Sequence, residues 1–213
     1  MTFVPPVAYL DNYFTDDLHF CQLYPLSVQR FDSLHWSPLQ VISRAVKFLV
    51  NKPNAKVLDI GSGSGKFCLA GAYFKPAAFF CGVEQREDLV ECAQTVRKKL
   101  GRLNIDFVHK NFTQIDFTEY DSFYFYNSFF ENIEGTDKID DKIAHSVELY
   151  DYYNLRLKTK LGEMPAGTRI ATYKTLDQEI PDSYRLVAIE MENQLKFWIK
   201  NKEHDVSTRQ SSI

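Results

Sequence analysis

The run Val57 to Phe67 reads VLDIGSGSGKF: an apolar stretch carrying the acid Asp59, then Gly61, Gly63 and Gly65, then a second apolar stretch. A strand that turns into a helix within a few residues needs backbone angles closed to most side chains, and glycine supplies them. Glycines in such a junction also let the backbone approach a ligand closely. A phosphate-binding loop of this kind requires Gly-x-x-x-x-Gly-Lys followed by Ser or Thr; here Ile60 occupies the first glycine position and Phe67 follows Lys66. A dinucleotide fingerprint requires Gly-x-Gly-x-x-Gly, and counting from Gly61 or Gly63 the last position is Lys66 or Cys68. The pattern left is Asp-x-Gly-x-Gly-x-Gly.

Around this turn, from Lys56 to Thr175, short β-branched or aromatic runs alternate with longer helical patterns, as consecutive βαβ units do. Strands are expected at Lys56 to Ile60, Ala78 to Glu84, Ile105 to Lys110, Asp121 to Tyr126 and Arg169 to Thr175. Helices are expected over Phe67 to Phe74 and Arg86 to Leu100, the second with Leu89, Ala93, Val96 and Leu100 inward and Arg97, Lys98 and Lys99 in solvent. Apolar residues from Ile139 to Leu161 recur at helical spacing, which predicts one long helix ending near Gly162. Tyr184 to Met191 and Gln194 to Lys200, separated by Glu192 and Asn193, read as an antiparallel hairpin at one sheet edge. Upstream, Ser37 reads as an N-cap and Pro38 as the first helical residue, opening a helix with Ile42, Ala45, Val46 and Leu49 inward. The expected fold is α/β, a Rossmann-like sheet of seven strands, mostly parallel, with a C-terminal antiparallel hairpin. Residues 1–36 read as an N-terminal extension or lid, 37–200 as the domain and 201–213 as a polar tail.

In an open parallel sheet, ligands bind beyond the strand ends. Asp59, Glu84, Asn111 and Asn127 fall at or just after the ends of four successive expected strands. With the glycine motif, this arrangement resembles the class I S-adenosylmethionine-dependent methyltransferases over roughly Ser37 to Lys200. The resemblance implies S-adenosylmethionine as cofactor, held at its methionine end by Asp59, Gly61, Ser62, Gly63 and Gly65 and at its ribose by Glu84, followed by Gln85. It also implies that Asn111 and Phe112 lie by the adenine, and that Ser37, after Trp36, contacts the cofactor carboxylate or closes over it. A turn role for Asn111 and a cap role for Ser37 are the plainer alternatives.

Asn127-Ser128-Phe129-Phe130 resembles the Asn-Pro-Pro-aromatic motif of methyltransferases acting on nitrogen, and the Asn-Asn-Phe of histone lysine methyltransferases lacking a SET domain, but it has no proline. An asparagine carbonyl accepts an amine hydrogen and so turns the nitrogen lone pair toward the methyl, which makes Asn127 the candidate catalytic residue as well as a cofactor-binding contact, and a protein lysine or other nitrogen the first candidate acceptor. A non-catalytic module that binds the cofactor, and an NAD-linked oxidoreductase, are the competing functions; Lys66 in place of the third glycine argues against the latter.

Composition narrows the partners. A net charge of -3 gives no overall pull toward nucleic acid, which sets RNA and small molecules behind a protein side chain as expected acceptors. No run approaches the ~18 apolar residues of a membrane span, and the N-terminus has no basic cluster before an apolar run, so a cytoplasmic protein is expected. Cys21, Cys68, Cys81 and Cys92 stand singly, His19, His35, His109, His145 and His204 form no cluster, and no metal site is expected.

Overall fold

The computed structural model describes residues 11–30, 35–101, 104–133, 135–136 and 138–202. Two short helices, α1 (Asp17–Cys21) and α2 (Leu26–Gln29), lead into α3 (Leu39–Leu49). Strands and helices then alternate: β1 (Lys56–Ile60), α4 (Lys66–Phe74), β2 (Phe79–Glu84), α5 (Glu87–Leu100), β3 (Ile105–His109), β4 (Ser122–Phe125), α6 (Val147–Gly162) and β5 (Arg169–Tyr173). The chain closes with β6 (Tyr184–Glu190) and β7 (Leu195–Lys200).

The sheet has seven strands in the order β3-β2-β1-β4-β5-β7-β6. β1 to β5 pair in parallel, while β7 runs antiparallel between β5 and β6. The central strands are apolar on both faces because helices cover both, which a parallel sheet requires. Alternate residues show the division: Val57, Phe80, Phe107 and Tyr124 pack with α3, α4 and α5, whereas Leu58, Cys81, Phe123 and Phe125 pack with Leu157 and Leu161 of α6. The inward positions expected of α3 (Ile42, Ala45, Val46 and Leu49) are fully buried. Strand order reverses between β1 and β4, so the loops after them diverge and leave a crevice at the carboxyl edge.

Three local expectations are corrected. The helix expected from Ile139 begins only at Val147, where Ser146 caps it by accepting a hydrogen bond from the Leu149 N–H at 3.2 Å. Residues 139–145 are apolar at helical spacing but run as loop, because Asp140 and the Ile139 N–H are bonded to side chains elsewhere. Ser37 does not cap α3; its hydroxyl is 2.6 Å from that of Tyr124, and the helix opens after Pro38 without a side-chain cap. The hairpin turn also takes in Met191, which joins Glu192 and Asn193 at positive φ, 52°, 54° and 69° respectively. The described part of the N-terminal segment packs onto the core through Phe14, Phe20, Leu23 and Tyr24, and the expected tail lies outside the described residues from residue 203.

Gly65 starts α4 at φ +86°, and a Cβ there would stand 2.5 Å from the Phe107 ring and 2.9 Å from the Ala93 Cβ. Replacing it with alanine adds left-handed strain to overpacking between α4, α5 and β3. Gly65→Ala is expected to lower unfolding free energy by about 2 to 4 kcal/mol in urea titration.

Candidate functional site

A cavity of about 270 Å³ opens at the carboxyl edge of β1 to β5. One end is the turn after β1. Here the N–H groups of Gly61 and Ser62 both donate to the Val83 carbonyl at 3.0 Å, pinning the turn to β2. Gly63 has φ +53° and open space where a Cβ would be, so its backbone faces the cavity bare. The Ser62 hydroxyl has no hydrogen-bond partner among the described residues.

Glu84, at the end of β2, is 6% exposed. Its Oε2 accepts from the Gly63 N–H at 3.0 Å, and its Oε1 accepts from the N–H groups of Gln85 and Arg86, both at 2.9 Å. Burial raises its pKa from the ordinary carboxylate range, against the N–H groups and the Arg86 charge, which lower it. Oε1 is filled by its two donors, while Oε2, with one, has a second lone pair, so acceptor capacity remains on that oxygen.

Asp59 stands behind the cavity wall rather than in it. It is 4% exposed, and the Cys68 thiol donates to its Oδ2 at 3.7 Å. Burial pushes this carboxyl up to about 8; the Cys68 hydrogen bond opposes the rise and the charge of Glu84 adds to it. Gly65 and Ser37 also lie outside the lining, Gly65 packed on Phe107 and Ser37 bonded to Tyr124. The remaining expected residues, Gly61, Ser62, Gly63, Glu84, Gln85, Asn111, Phe112 and Asn127, share the one cavity.

Asn111 takes the turn role. Its Oδ1 accepts from the N–H and hydroxyl of Thr113, and its Nδ2 donates to Gln85 Oε1 at 3.2 Å and the Tyr153 hydroxyl at 3.0 Å. Phe112 stacks on Phe129 with centroids 5.0 Å apart, and Tyr153 from α6 meets both rings, so this end of the cavity is an aromatic wall.

At the other end, β4 and β5 are each followed within two residues by a non-glycine residue in the left-handed region, Asn127 at φ 45° and Lys174 at φ 50°. Lysine gains nothing locally from that conformation, which costs an L residue about 1 to 2 kcal/mol. Thr175 joins the two strand ends: its hydroxyl accepts from the Asn127 N–H at 3.3 Å and contacts the carbonyls of Tyr173 and Phe125. The Asn127 carboxamide makes no hydrogen bond among the described residues, and both side chains line the cavity beside Tyr126.

The loop after β4 is tied across the opening by Arg86, itself 5% exposed. Its guanidinium bonds Glu131 at 2.6 Å and Asp140 at 3.0 Å and lies 4.0 Å from Glu84. Burial alone would raise the Asp140 pKa, but the Arg86 hydrogen bond and charge, with the Lys142 N–H, bring it below the usual range. From the other side, the Tyr24 hydroxyl donates to the Ser64 carbonyl at 3.1 Å, and the buried Lys66 ammonium bonds Asp17 at 2.6 Å.

Sequence reasoning missed Arg86, Glu131, Tyr126 and Lys174. The strand-end rule that found Asn127 also marks Tyr126 and Lys174 once β4 is seen to stop at Phe125 and β5 at Tyr173. The expected strands ran one or two residues too far and hid both. Arg86 and Glu131 had no local signal, since their pairing spans 45 residues.

Residues 51–154 match the family model described as a methyltransferase domain. A 54-residue stretch is 50% identical to a tRNA (guanine-N(7)-)-methyltransferase of Synechococcus sp. (strain JA-3-3Ab), covering 25% of this chain and 23% of that protein. The match thus spans about a quarter of that relative's length. Among solved structures, an RNA methyltransferase from Salinibacter ruber in complex with S-adenosyl-L-homocysteine aligns with TM-score 0.55 at 19% identity, over 79% of this chain and 95% of that one. A magnesium protoporphyrin IX methyltransferase from Synechocystis PCC 6803 with bound S-adenosylmethionine aligns with TM-score 0.56 at 14% identity, over 91% and 96%. At these identities the two structures speak for the fold. Among the described residues, no helix is long and apolar enough to cross a membrane and no cluster of metal-ligating side chains occurs.

Asp59 and Arg86 give two stability tests. An unfolded aspartate loses its proton at about 3.9, so between there and about 8 the folded chain holds a proton at Asp59 that the unfolded chain does not. Asp59 therefore makes the unliganded protein lose stability as pH rises through that window, and Asp59→Asn is expected to flatten the slope in thermal melts from pH 5 to pH 8. Arg86→Met removes the cation between Glu84 and Glu131, and a loss of about 3 kcal/mol is expected in urea unfolding.

Proposed function

We propose that this chain, whose residues 51–154 match a methyltransferase-domain model, is a class I S-adenosylmethionine-dependent methyltransferase that moves a methyl group from that cofactor to a nitrogen nucleophile held at the ends of β4 and β5. The observation that carries this is the bare turn at Gly63, bonded to the Glu84 carboxylate at the head of a cavity that ends on Asn127. These residues fit the cofactor. The Gly61 to Ser64 turn has room for a methionine part at Gly63, Glu84 keeps acceptor capacity for a ribose hydroxyl, and Phe112, Phe129 and Tyr153 make an aromatic wall for an adenine. Asp59 acts from behind the turn, where its carboxyl, once ionised, balances the charge of an ammonium. Asn111 shapes the wall through its Gln85 and Tyr153 bonds, Gly65 seats α4, and Ser37 fixes Tyr124 beneath the site.

When bound, S-adenosylmethionine supplies an electrophilic methyl on a sulfonium. The chain contributes alignment. Asn127, its carboxamide unengaged, accepts a hydrogen from the acceptor nitrogen and directs the lone pair along the line of displacement. The Tyr126 ring beside it faces the developing positive charge.

For the acceptor, the matched relative from Synechococcus is named for a guanine of tRNA, which favours a base nitrogen in RNA. The protein lysine expected from the Asn127 segment has no support of this kind, and we place it behind RNA. His35 and Trp36, which lead into α3 and line the cavity, are proposed to complete the acceptor pocket.

S-adenosylhomocysteine is expected to bind in calorimetry, and Glu84→Gln, which loses one of the two carboxylate acceptors, to weaken it at least about tenfold. Asn127→Ala is expected to keep that affinity while slowing labelled methyl transfer to total tRNA by about a hundredfold. Label entering only protein would overturn the RNA assignment. Absence of S-adenosylhomocysteine binding would overturn the function.

A further inference from the structure

The cofactor residues named above lie on β1, β2 and β3, with Phe129 and Tyr153 beside them. That leaves the ends of β4 and β5 for the acceptor. Three cations line the cavity: Arg86, Lys110 and Lys174. Arg86 is neutralised by Glu131 and Asp140. Lys110 follows β3, four strands from β5 in the sheet order, beyond the adenine wall. Lys174 alone of the three stands at the acceptor end, and among the described residues no carboxylate pairs with it.

Its placement is built rather than incidental. Lys174 is held at φ 50°, a conformation lysine does not favour, by its N–H bond to the Gln194 carbonyl at 2.8 Å and by the Thr175 hydroxyl next to it. The ammonium lies 5.4 Å from the centroid of the Tyr173 ring, which in turn packs against Tyr126 in the cavity wall. Neighbouring strands are about 4.8 Å apart, so Asn127 and Lys174 reach two groups of one small molecule or one nucleotide.

We propose that Lys174 is a specificity-determining residue of the acceptor site, its ammonium pairing with an oxyanion, a phosphate or a carboxylate, on the molecule whose nitrogen Asn127 orients. This rests on the methyltransferase function proposed above. A point charge on a flexible stem suits either anion without demanding a fixed geometry. The Tyr126 face suits a planar acceptor beside that anion.

The test is calorimetry on the full chain saturated with S-adenosylhomocysteine, with two matched pairs of probes at up to millimolar concentration. Guanosine 5′-monophosphate against guanosine reads a phosphate; anthranilate against aniline reads a carboxylate. In one pair the anion is expected to bind about five- to tenfold more tightly than its neutral partner, and that pair identifies the source. The preference is expected to vanish in Lys174→Met and to persist in Lys174→Arg, with S-adenosylhomocysteine affinity unchanged in both. Equal binding within both pairs, failure of both anions to bind, or a preference that survives Lys174→Met overturns the proposal. Failure of S-adenosylhomocysteine to bind the unsubstituted chain would instead overturn the function on which it rests.

Discussion

The Glu84 carboxylate is the knot of the structure. By accepting N–H groups from Gly63, Gln85 and Arg86, one side chain fixes the turn after β1 against the start of α5. A buried carboxylate is costly unless such donors surround it, and the three bonds offset that cost while leaving one lone pair on Oε2. The other parts of the site hang from this point. Arg86 carries the knot on to Glu131 and Asp140, and so to the loop after β4. Ser64 carries it to Tyr24 and the N-terminal helices.

Electrostatically, the site keeps its acids close and its cations sorted. Asp59 and Glu84 share one face of the sheet; burial raises the pKa of both, and the Glu84 charge adds to the rise at Asp59, which a bound ammonium would relieve. Arg86 serves the protein's own carboxylates. Lys174 serves none of them, and the chain spends backbone strain to put it at the mouth. The same strain recurs at Asn127 on the adjacent strand, and the Thr175 hydroxyl links the two.

Much of this was legible in the sequence because it is local. The strands at Lys56 to Ile60 and Ile105 to His109, the α4 turn and the inward face of α3 follow from apolar spacing and glycine placement. The end of α6 at Gly162 did too. Its start did not: Ile139 and Ile143 continue the helical period, and only the pull of Arg86 on Asp140 and Glu131, from far along the chain, makes that stretch a loop. Ser37 failed as a cap for a similar reason, since Tyr124 on β4 claims its hydroxyl. Asp59 was found by its motif, but whether it lines the cavity or backs it depends on packing against Cys68. Lys174 stayed hidden because a strand boundary is uncertain by a residue or two in any pattern, and here that error covered the end of β5.

The most direct measurement is a crystal structure of the chain grown with S-adenosylhomocysteine. The account predicts one molecule running along the carboxyl edge, its ribose hydroxyls within hydrogen-bond distance of Glu84, its amino-acid part against Gly61 to Ser64 and its sulfur facing Asn127. Density for the ligand on another face, or with its ribose turned away from Glu84, would contradict it.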